Sequence, residues 1–339
     1  MRSFRCFGQL ECEPGPGLNF ITGANAQGKT SILEAACLLL RLRSPRTTAL
    51  SEIVRFGEPT FSLEGLLDET RLSMTCTPPL RTLKLDGVAQ SSSTDYLTKG
   101  RIVWFGNGDM ALVDGSAERR RKFLDSTGLQ IGGSYGSDLK AYDRALRSRN
   151  LLLREGRPRR EVEAYDLPLA ETGERIIAAR DMLVTDLKPL AVAACRTISG
   201  ENLELCYAPG SGIPMLETLI SSRDEEMRLR QTRVGPQRDD LVIRINGHDA
   251  GAFASEGQRR TIALALKMAM AALLTEKNAT PPLLLLDDVF GELDASRRTA
   301  LLEGMPGGSQ ALLSTAELSG ISPPAGSRVF RLEKGILTG

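Results

Sequence analysis

Apolar and polar positions along the chain change their period several times, and these changes predict where strands and helices lie. Residues 18–21, with the sequence L-N-F-I, predict a short buried strand. Residues 31–42 carry apolar side chains at helical spacing and predict a helix. Weak alternation over residues 4–7 predicts an earlier strand, and residues 52–105 predict strands and turns. The chain therefore starts as strand, loop and helix, followed by a strand-rich stretch.

The second half of the pattern combines a helical segment with further strands. Apolar spacing is helical over residues 117–199 and again over residues 259–274. Strand patterns are found at residues 203–207, 241–245, 283–286, 311–313, 328–332 and 336–337. The pattern indicates an α/β fold. It predicts a mostly helical lobe, residues 117–199, inserted into a domain formed by residues 1–116 and 200–339.

A glycine-rich loop joins the strand at residues 18–21 to the helix that follows. Its sequence fits G-x-x-x-x-G-K-T, the pattern of a phosphate-binding loop. Backbone N–H groups of such a loop surround phosphate oxygens, and the helix N-terminus adds partial positive charge. Lys29 can reach the β- and γ-phosphates, and the Thr30 hydroxyl can bind Mg²⁺. A chance glycine turn is the alternative, and the strand-loop-helix context argues against it. The predicted nucleotide-binding residues are Gly23, Ala24, Asn25, Ala26, Gln27, Gly28, Lys29, Thr30 and Ser31.

An acidic pair follows the four consecutive leucines at residues 283–286. Such an apolar run is typical of a strand buried on both faces of a parallel sheet. Ligands of open α/β sheets bind at the carboxyl ends of the strands, where these acids lie. We expect Asp287 to hold Mg²⁺ through water, and Asp288 to orient the attacking water or accept its proton as the catalytic residue. An ordinary strand end is the alternative.

A third motif, Ser255-Glu256-Gly257-Gln258, precedes the helix predicted over residues 259–274. Ser255 and Gln258 fit a capping box, in which the two side chains satisfy backbone N–H groups at a helix start. Capping explains both residues without any ligand. It does not explain Gly257, which would let a phosphate approach the backbone. Both interpretations stay open at this point.

Composition adds one local feature to an ordinary background. The chain is 41% hydrophobic and 25% charged, with a formal net charge of +1, so no global basic field indicates nucleic acid. Residues 115–160, however, carry 12 basic and 5 acidic side chains. Solvated helix faces would explain this excess. The functional hypothesis is a DNA backbone surface that includes Arg119, Arg120, Arg121 and Lys122.

The six cysteines form no C-x-x-C pair, and the chain has a single histidine. We therefore expect no zinc site and a reducing, cytoplasmic setting. No apolar run approaches the ~20 residues that cross a membrane. The N-terminus has no signal-peptide pattern.

The order of the three motifs resembles the ABC-type ATPase head of the SMC, Rad50 and RecF superfamily. Within it, the chain is similar to the RecF family. The stretch between the phosphate-binding loop and Ser255 has no heptads sustained over several turns, which argues against long-armed relatives. The stretches similar to RecF proteins are R-S-P-R-T at 43–47, G-S-A-E-R-R with F-L-D within 115–125, R-N-L-L-L at 149–153, and G-P-Q-R-D-D-L at 235–241. Gln237 stands where that family has histidine, and Cys6 stands where it has asparagine.

This resemblance implies a P-loop ATPase head with ATP and Mg²⁺ as cofactors and no long coiled coil. It also implies an ATP-dependent homodimer in which Ser255, Glu256, Gly257 and Gln258 of one copy act in trans on the nucleotide of the other. Arg5, Asp294 in the stretch E-L-D at 292–294, and Thr315 would also belong to the ATP site.

The implied role is DNA repair, replication and recombination within the SOS response. It includes binding of duplex DNA near single-strand gaps and cooperation with RecR and RecO to load RecA. ATP hydrolysis is expected to be slow, DNA-stimulated and used as a switch, without a membrane partner. Two alternatives remain. An ABC-type transporter ATPase would pair with membrane subunits but gives the arginine-rich lobe no role. A head regulating a partner nuclease would not need the stretch at 235–241.

Overall fold

The computed structural model describes residues 1–291, 293–318 and 321–339, and these form two compact units. Unit 1 consists of Met1–Asp109 and Met270–Gly339, and unit 2 consists of Met110–Ala269. The predicted lobe at 117–199 lies inside unit 2, together with the predicted strands at 203–207 and 241–245. Its separation as an inserted functional domain stays a prediction. Glu292 of the stretch E-L-D lies outside the described residues.

Helices and strands follow one another in this order, with short 3₁₀ turns at Leu50–Glu52, Asn107–Leu112 and Pro236–Arg238. The first part contains β1 (Arg2–Phe4), β2 (Phe7–Gln9), β3 (Leu18–Thr22), α1 (Lys29–Arg41), β4 (Phe61–Leu67), β5 (Thr70–Thr77), β6 (Leu80–Leu85), β7 (Val88–Ala89), α2 (Ser93–Thr98) and β8 (Ile102–Phe105). The middle contains α3 (Ala117–Ile131), α4 (Tyr135–Glu155), α5 (Arg159–Glu163), α6 (Asp166–Ser199), β9 (Leu203–Ala208), α7 (Met215–Leu229), β10 (Asp240–Ile245), β11 (His248–Asp249), α8 (Ala250–Phe253) and α9 (Glu256–Asn278). The last part contains β12 (Leu283–Asp287), α10 (Ala295–Glu303), β13 (Ala311–Thr315), β14 (Arg328–Glu333) and β15 (Ile336–Thr338).

A mostly parallel sheet in unit 1 has the strand order β15-β14-β3-β13-β12-β8. Strand β3 pairs in parallel with β13 and β14, and β12 pairs in parallel with β13 and β8. Leu284, Leu285 and Leu286 of β12 are fully buried, as the continuous apolar run predicts. The carboxyl ends of β3, β13 and β12 therefore meet at one edge of this sheet.

An antiparallel sheet, β2-β1-β4-β5-β6-β7, forms the rest of unit 1. Helix α1 packs against strands of both sheets, and apolar residues on all its sides are buried. The prediction of one strand over residues 4–7 is wrong. Phe4 and Phe7 face each other across a hairpin, and Arg5 and Cys6 form its turn. Both rings are buried, and residues three apart on one strand would point to opposite faces.

Unit 2 is mostly helical and includes the three-stranded antiparallel sheet β11-β10-β9. Its apolar core includes Tyr142 of α4, Leu169 and Ile176 of α6, and Met215 and Leu219 of α7. Buried ion pairs accompany this core and join segments that are far apart in sequence. Within the parts of the chain that the structure describes, no helix pair forms a long coiled coil. In the same parts, no helix is both long enough and apolar enough to span a membrane.

Charged groups of the RecF-like stretches account for many of those pairs. Arg149 is fully buried and pairs with Asp166 at 3.0 Å and with Glu226 at 2.7 Å. Arg180 pairs with Asp125 at 2.7 Å and with Asp239 at 2.6 Å. Further contacts to these groups come from Tyr135, Tyr207 and Thr232. The stretches at 115–125, 149–153 and 235–241 thus hold unit 2 together.

Candidate nucleotide-binding site

A cavity of about 500 Å³ in unit 1 brings the phosphate-binding loop and the acidic pair together. It opens where β3 and β12 end, so the parallel sheet places the two motifs side by side. Residues of the β1–β2 turn and of the segment after α1 complete the wall. The lining residues are Arg5, Cys6, Asn25, Ala26, Gly28, Lys29, Thr30, Ser31, Arg46, Glu52, Val54, Asp287, Asp288 and Ser314.

The backbone of the loop takes conformations that favour glycine. Gly28 has φ 105°, and a Cβ there would lie 2.7 Å from both the Cys6 sulfur and the Phe7 ring. Gly23 has φ 148°, and a Cβ there would collide with the Leu332 carbonyl. Helix α1 begins directly after Gly28, so its N-terminal N–H groups open toward the cavity. The segment is built to accept an anion.

Three non-glycine residues on the cavity wall also have left-handed backbone conformations. Arg5 has φ 52°, Ala26 has φ 65° and Asp288 has φ 52°. Such conformations cost roughly 1–3 kcal/mol each and occur often at functional sites. Here they lie in three separate segments that meet at one cavity, which favours a functional site there.

The ammonium group of Lys29 lies against the loop. Its Nζ donates hydrogen bonds to the Gly23 carbonyl at 2.5 Å and to the Ala24 carbonyl at 2.9 Å. Burial lowers the pKa of Lys29, and the Asp288 and Asp287 carboxylates oppose this shift. Because burial disfavours the charged ammonium group, the negative oxygens of a bound phosphate would stabilise it.

The cavity wall also contains a hydroxyl–carboxylate cluster, formed by Thr30, Asp287 and Ser314. The Thr30 hydroxyl donates to Asp287 Oδ1 at 2.8 Å, and the Ser314 hydroxyl donates to the same oxygen at 2.6 Å. Hydroxyl and carboxylate oxygens are ligands that Mg²⁺ prefers, usually together with water and substrate phosphates. The described residues hold no group of three or more His, Cys, Asp or Glu side chains placed for a metal. Thr30 and Asp287 therefore fit a Mg²⁺ that draws its remaining ligands from a nucleotide and water.

Asp288 is exposed on the cavity wall, directly after the cluster. Its backbone N–H donates to the Ser314 hydroxyl at 3.0 Å, and this bond fixes the turn with positive φ. The side chain lies beside the phosphate-binding loop without sharing the hydroxyl partners of Asp287. Its placement allows it to contact a water molecule near bound phosphate.

Glu34 of α1 is a residue that sequence reasoning missed. Its carboxylate is fully buried and accepts two hydrogen bonds from Arg5, at 2.6 and 2.9 Å, and one from Ser44 at 2.5 Å. Arg46 reaches the same carboxylate at 3.3 Å. Arg5 also donates to the Glu52 carbonyl at 2.7 Å. One acid thus holds both arginines of the cavity wall, and an acidic residue within the apolar helix pattern was the available signal.

Some predicted residues shape the surroundings without lining the cavity. Gln27 accepts a hydrogen bond from the Lys334 backbone at 2.8 Å. The Thr315 hydroxyl donates to the Glu317 carbonyl at 2.9 Å. Asp294 caps α10 by accepting from the Arg297 N–H at 2.9 Å. These contacts give each residue a structural role, and their part in nucleotide binding stays a prediction.

The Ser255–Gln258 motif lies in unit 2, and the capping box forms as expected. The Ser255 N–H donates to Gln258 Oε1 at 2.8 Å, and the Gln258 N–H donates to Ser255 Oγ at 3.3 Å. The Gln258 amide also donates to Glu201 at 2.6 Å. Ser255, Glu256 and Gly257 are exposed. Capping accounts for the bonds, while the exposed serine and glycine remain free to meet a ligand.

The four predicted DNA contacts differ in their exposure and in their partners, and their role stays a prediction. Arg120 makes two hydrogen bonds to Asp240, at 2.6 and 2.9 Å, and Arg121 donates to the Asp239 carbonyl at 2.7 Å. Arg119 and Lys122 are exposed, and Lys122 pairs with Glu118 at 2.6 Å. Arg120 and Arg121 are thus committed to the packing of unit 2.

Known proteins resemble this chain along its whole length. A family model described as "AAA domain" matches residues 1–75. The DNA replication and repair protein RecF of Anaeromyxobacter sp. (strain Fw109-5) is 36% identical over 362 aligned residues, covering 100% of this chain and 97% of that protein. The chain belongs to the RecF family. RecF of Streptococcus suis (strain 05ZYH33) is 34% identical, with 100% of this chain and 97% of that protein covered.

A solved structure of a RecF protein also matches nearly the whole chain. The structure of the recombination mediator protein RecF with ATP in the RecFOR pathway matches with a TM-score of 0.90 and 32% identity, covering 99% of this chain and 95% of that chain. An Smc head bound to the C-winged helix domain of ScpA matches with a TM-score of 0.55 and 14% identity, which shows the fold alone. The predicted α/β fold of an ABC-type ATPase head is confirmed.

Proposed function

We propose that this RecF-family protein binds ATP with Mg²⁺ in the cavity of unit 1 and uses it to control binding to DNA. One observation carries the proposal. The phosphate-binding loop, the Thr30–Asp287 pair and the exposed Asp288 line a single cavity. The RecF protein solved with ATP, at 32% identity and a TM-score of 0.90, supports ATP as the nucleotide.

Each group has a distinct task in phosphoryl transfer. Backbone N–H groups of the loop and the α1 N-terminus would hold the phosphates, and Lys29 would neutralise the β- and γ-phosphates. Thr30 and Asp287 would hold Mg²⁺, which supplies charge neutralisation at the phosphates. Asp288 would orient the attacking water and accept its proton. Catalysis of this kind depends on positioning. In keeping with the family resemblance, we propose that hydrolysis is slow and acts as a switch.

We further propose that ATP joins two copies of the chain. Ser255 and Gly257 are exposed on unit 2, where they could contact the γ-phosphate held by another copy. The capping contacts keep the α9 N-terminus ordered for that role. The ATP-bound dimer would bind duplex DNA near gaps and act in the cytoplasm with RecR and RecO to load RecA. The relatives' names, a replication and repair protein and a recombination mediator, support this role.

Sizing by analytical ultracentrifugation tests the proposal directly. The wild-type chain should sediment as a monomer without nucleotide and as a dimer with ATP and Mg²⁺, and gapped duplex DNA should co-sediment with the dimer. Lys29→Ala is the control and should remain monomeric with ATP. Identical sedimentation with and without ATP contradicts the switch. Dimers that ignore gapped DNA but bind a nuclease would favour the nuclease-regulator alternative.

A further inference from the structure

Helix α4 of unit 2 carries a row of basic side chains that its packing turns outward. The row consists of four exposed residues, Lys140, Arg144, Arg147 and Arg154. Their spacing of four, three and seven residues confines them to about 80° of the helix circumference. The opposite side carries the buried residues Tyr142, Ala145, Arg149 and Leu153. The direction of the row is therefore set by the core of unit 2. We call these four residues the α4 ridge.

In the part of the chain that the structure describes, the cations of the α4 ridge form no close ion pair. Within the described residues, Lys140, Arg144 and Arg147 form no ion pair, and Arg154 donates only to the Asn150 carbonyl at 3.2 Å. Asp143 lies one helical turn before Arg147 and interacts with it electrostatically, and Glu155 directly follows Arg154. The exposed cations of the ridge are held by no close ion pair to a described residue and are thus available to an anionic partner.

Basic residues next to the ridge are already paired. Arg157 lies 2.9 Å from Glu161, and Arg159 lies 3.1 Å from Glu163 and 3.2 Å from Asp224. Arg175 pairs with Asp138 at 2.9 Å. Arg120, Lys122 and Arg149 are also paired, so five of the 12 basic residues at 115–160 have an acidic partner. Of the seven others, four form the α4 ridge, and Arg119, Arg121 and Arg160 lie on α3 and α5.

We propose that the α4 ridge is the surface that contacts the backbone of duplex DNA. The proposal rests on the proposed DNA-binding function and replaces Arg120 and Arg121 as the contacts. The row is about 21 Å long, since 14 residues of helix rise 1.5 Å each. Duplex DNA carries one charge per about 1.7 Å of axis, so every cation of the row can reach a phosphate. Between its ends, the row holds Leu151 and no aromatic side chain on which unstacked bases could stack, which favours duplex over single strand.

A matched pair of double variants tests the assignment. Arg144→Gln with Arg147→Gln removes two charges from the ridge. Arg157→Gln with Arg159→Gln removes two charges from paired, exposed residues of the same unit. Binding of a fluorescein-labelled blunt duplex is measured by anisotropy with ATP and Mg²⁺, from ~50 to ~200 mM salt. ATP binding and melting temperature are measured in parallel, and both should equal wild type because all four side chains are on the surface.

The ridge variant should lower the slope of log affinity against log salt by about 2, since each lost phosphate contact removes about 1. Its affinity at ~100 mM salt should fall at least about tenfold, and the control variant should bind as wild type does.

Equal losses in both variants would mean that only net charge matters and would overturn the assignment of the ridge. Wild-type affinity in the ridge variant would overturn it while leaving the DNA-binding function intact. A ridge variant that loses only single-strand binding would overturn the commitment to duplex, and a wild-type chain that binds no duplex would overturn both proposals.

Discussion

Replacing Glu34 by glutamine should destabilise unit 1 and loosen the arginine side of the cavity wall. The carboxylate is fully buried, and its two oxygens accept from Arg5, Ser44 and Arg46. Glutamine keeps the shape but loses the charge and turns an NH₂ group toward a guanidinium. Arg5, only 18% exposed, would then be left without its counter-charge.

The expected magnitude follows from the burial of each partner. Removing one member of a buried ion pair costs 3–5 kcal/mol, and the low end, about 3 kcal/mol, applies because Arg5 keeps some contact with water. Arg46 adds little, since its side chain is 46% exposed and its contact is 3.3 Å long. The matched control is Glu64→Gln, which breaks the pair with Arg71 whose side chains are 58% and 63% exposed. That change should cost at most about 1 kcal/mol.

Urea unfolding followed by tryptophan fluorescence measures this difference. The single tryptophan, Trp104, packs against the core of unit 1, so its signal reports on this unit. Glu34→Gln should lower the unfolding midpoint clearly, and Glu64→Gln should leave it nearly unchanged. ATP affinity should fall in the first variant alone, because Arg5 and Arg46 lose their common anchor. Equal midpoints in the two variants would refute the assignment of Glu34 as the anchor of this wall.

Two further predictions concern single residues of the cavity. Cys6 and Cys206 are both exposed, but partial burial raises the pKa of the Cys6 thiol and Cys6 lines the nucleotide cavity. N-ethylmaleimide should therefore modify Cys6 more slowly than an ordinary thiol near neutral pH, and ATP should slow it further while Cys206 reacts equally in both conditions. Mass spectrometry of the modified peptides measures this, and equal labelling of Cys6 with and without ATP would place it outside the nucleotide site. Asp288→Asn should bind ATP, hydrolyse it at least ~10²-fold more slowly and accumulate as the dimer, as seen by phosphate release and sedimentation. Wild-type turnover in that variant would remove Asp288 from the mechanism.

The local part of the site follows from the sequence because its physics is local. A strand, a glycine loop and a helix are contiguous, and their residue types permit little else. Even the approach of Asp287 to Thr30, 257 residues apart, could be anticipated. Parallel strands place their carboxyl ends at one edge of a sheet, so the two motifs needed only to share a sheet.

What the sequence pattern could not provide is the pairing of charges between distant segments. Counting cations over residues 115–160 predicts a basic surface, but Arg120 pairs with Asp240, 120 residues later. Glu34 likewise depends on Arg5 and Ser44, which reach it only after both chain segments fold around α1. A net charge is a sum over sequence, whereas an ion pair is a property of the folded chain.

The central claim is that the nucleotide held by Lys29 of one copy is completed by Ser255 of another. Mixing Lys29→Ala chains with Ser255→Arg chains and measuring DNA-stimulated phosphate release tests it directly. Each variant alone should be inactive, since Lys29→Ala cannot hold the phosphates and Ser255→Arg blocks the closed interface by its bulk. A heterodimer has one site with both defects and one site with neither, so activity should partly return on mixing. A Ser255→Arg chain that dimerises with ATP and hydrolyses it as wild type does would contradict the claim and leave Ser255 as a helix cap alone.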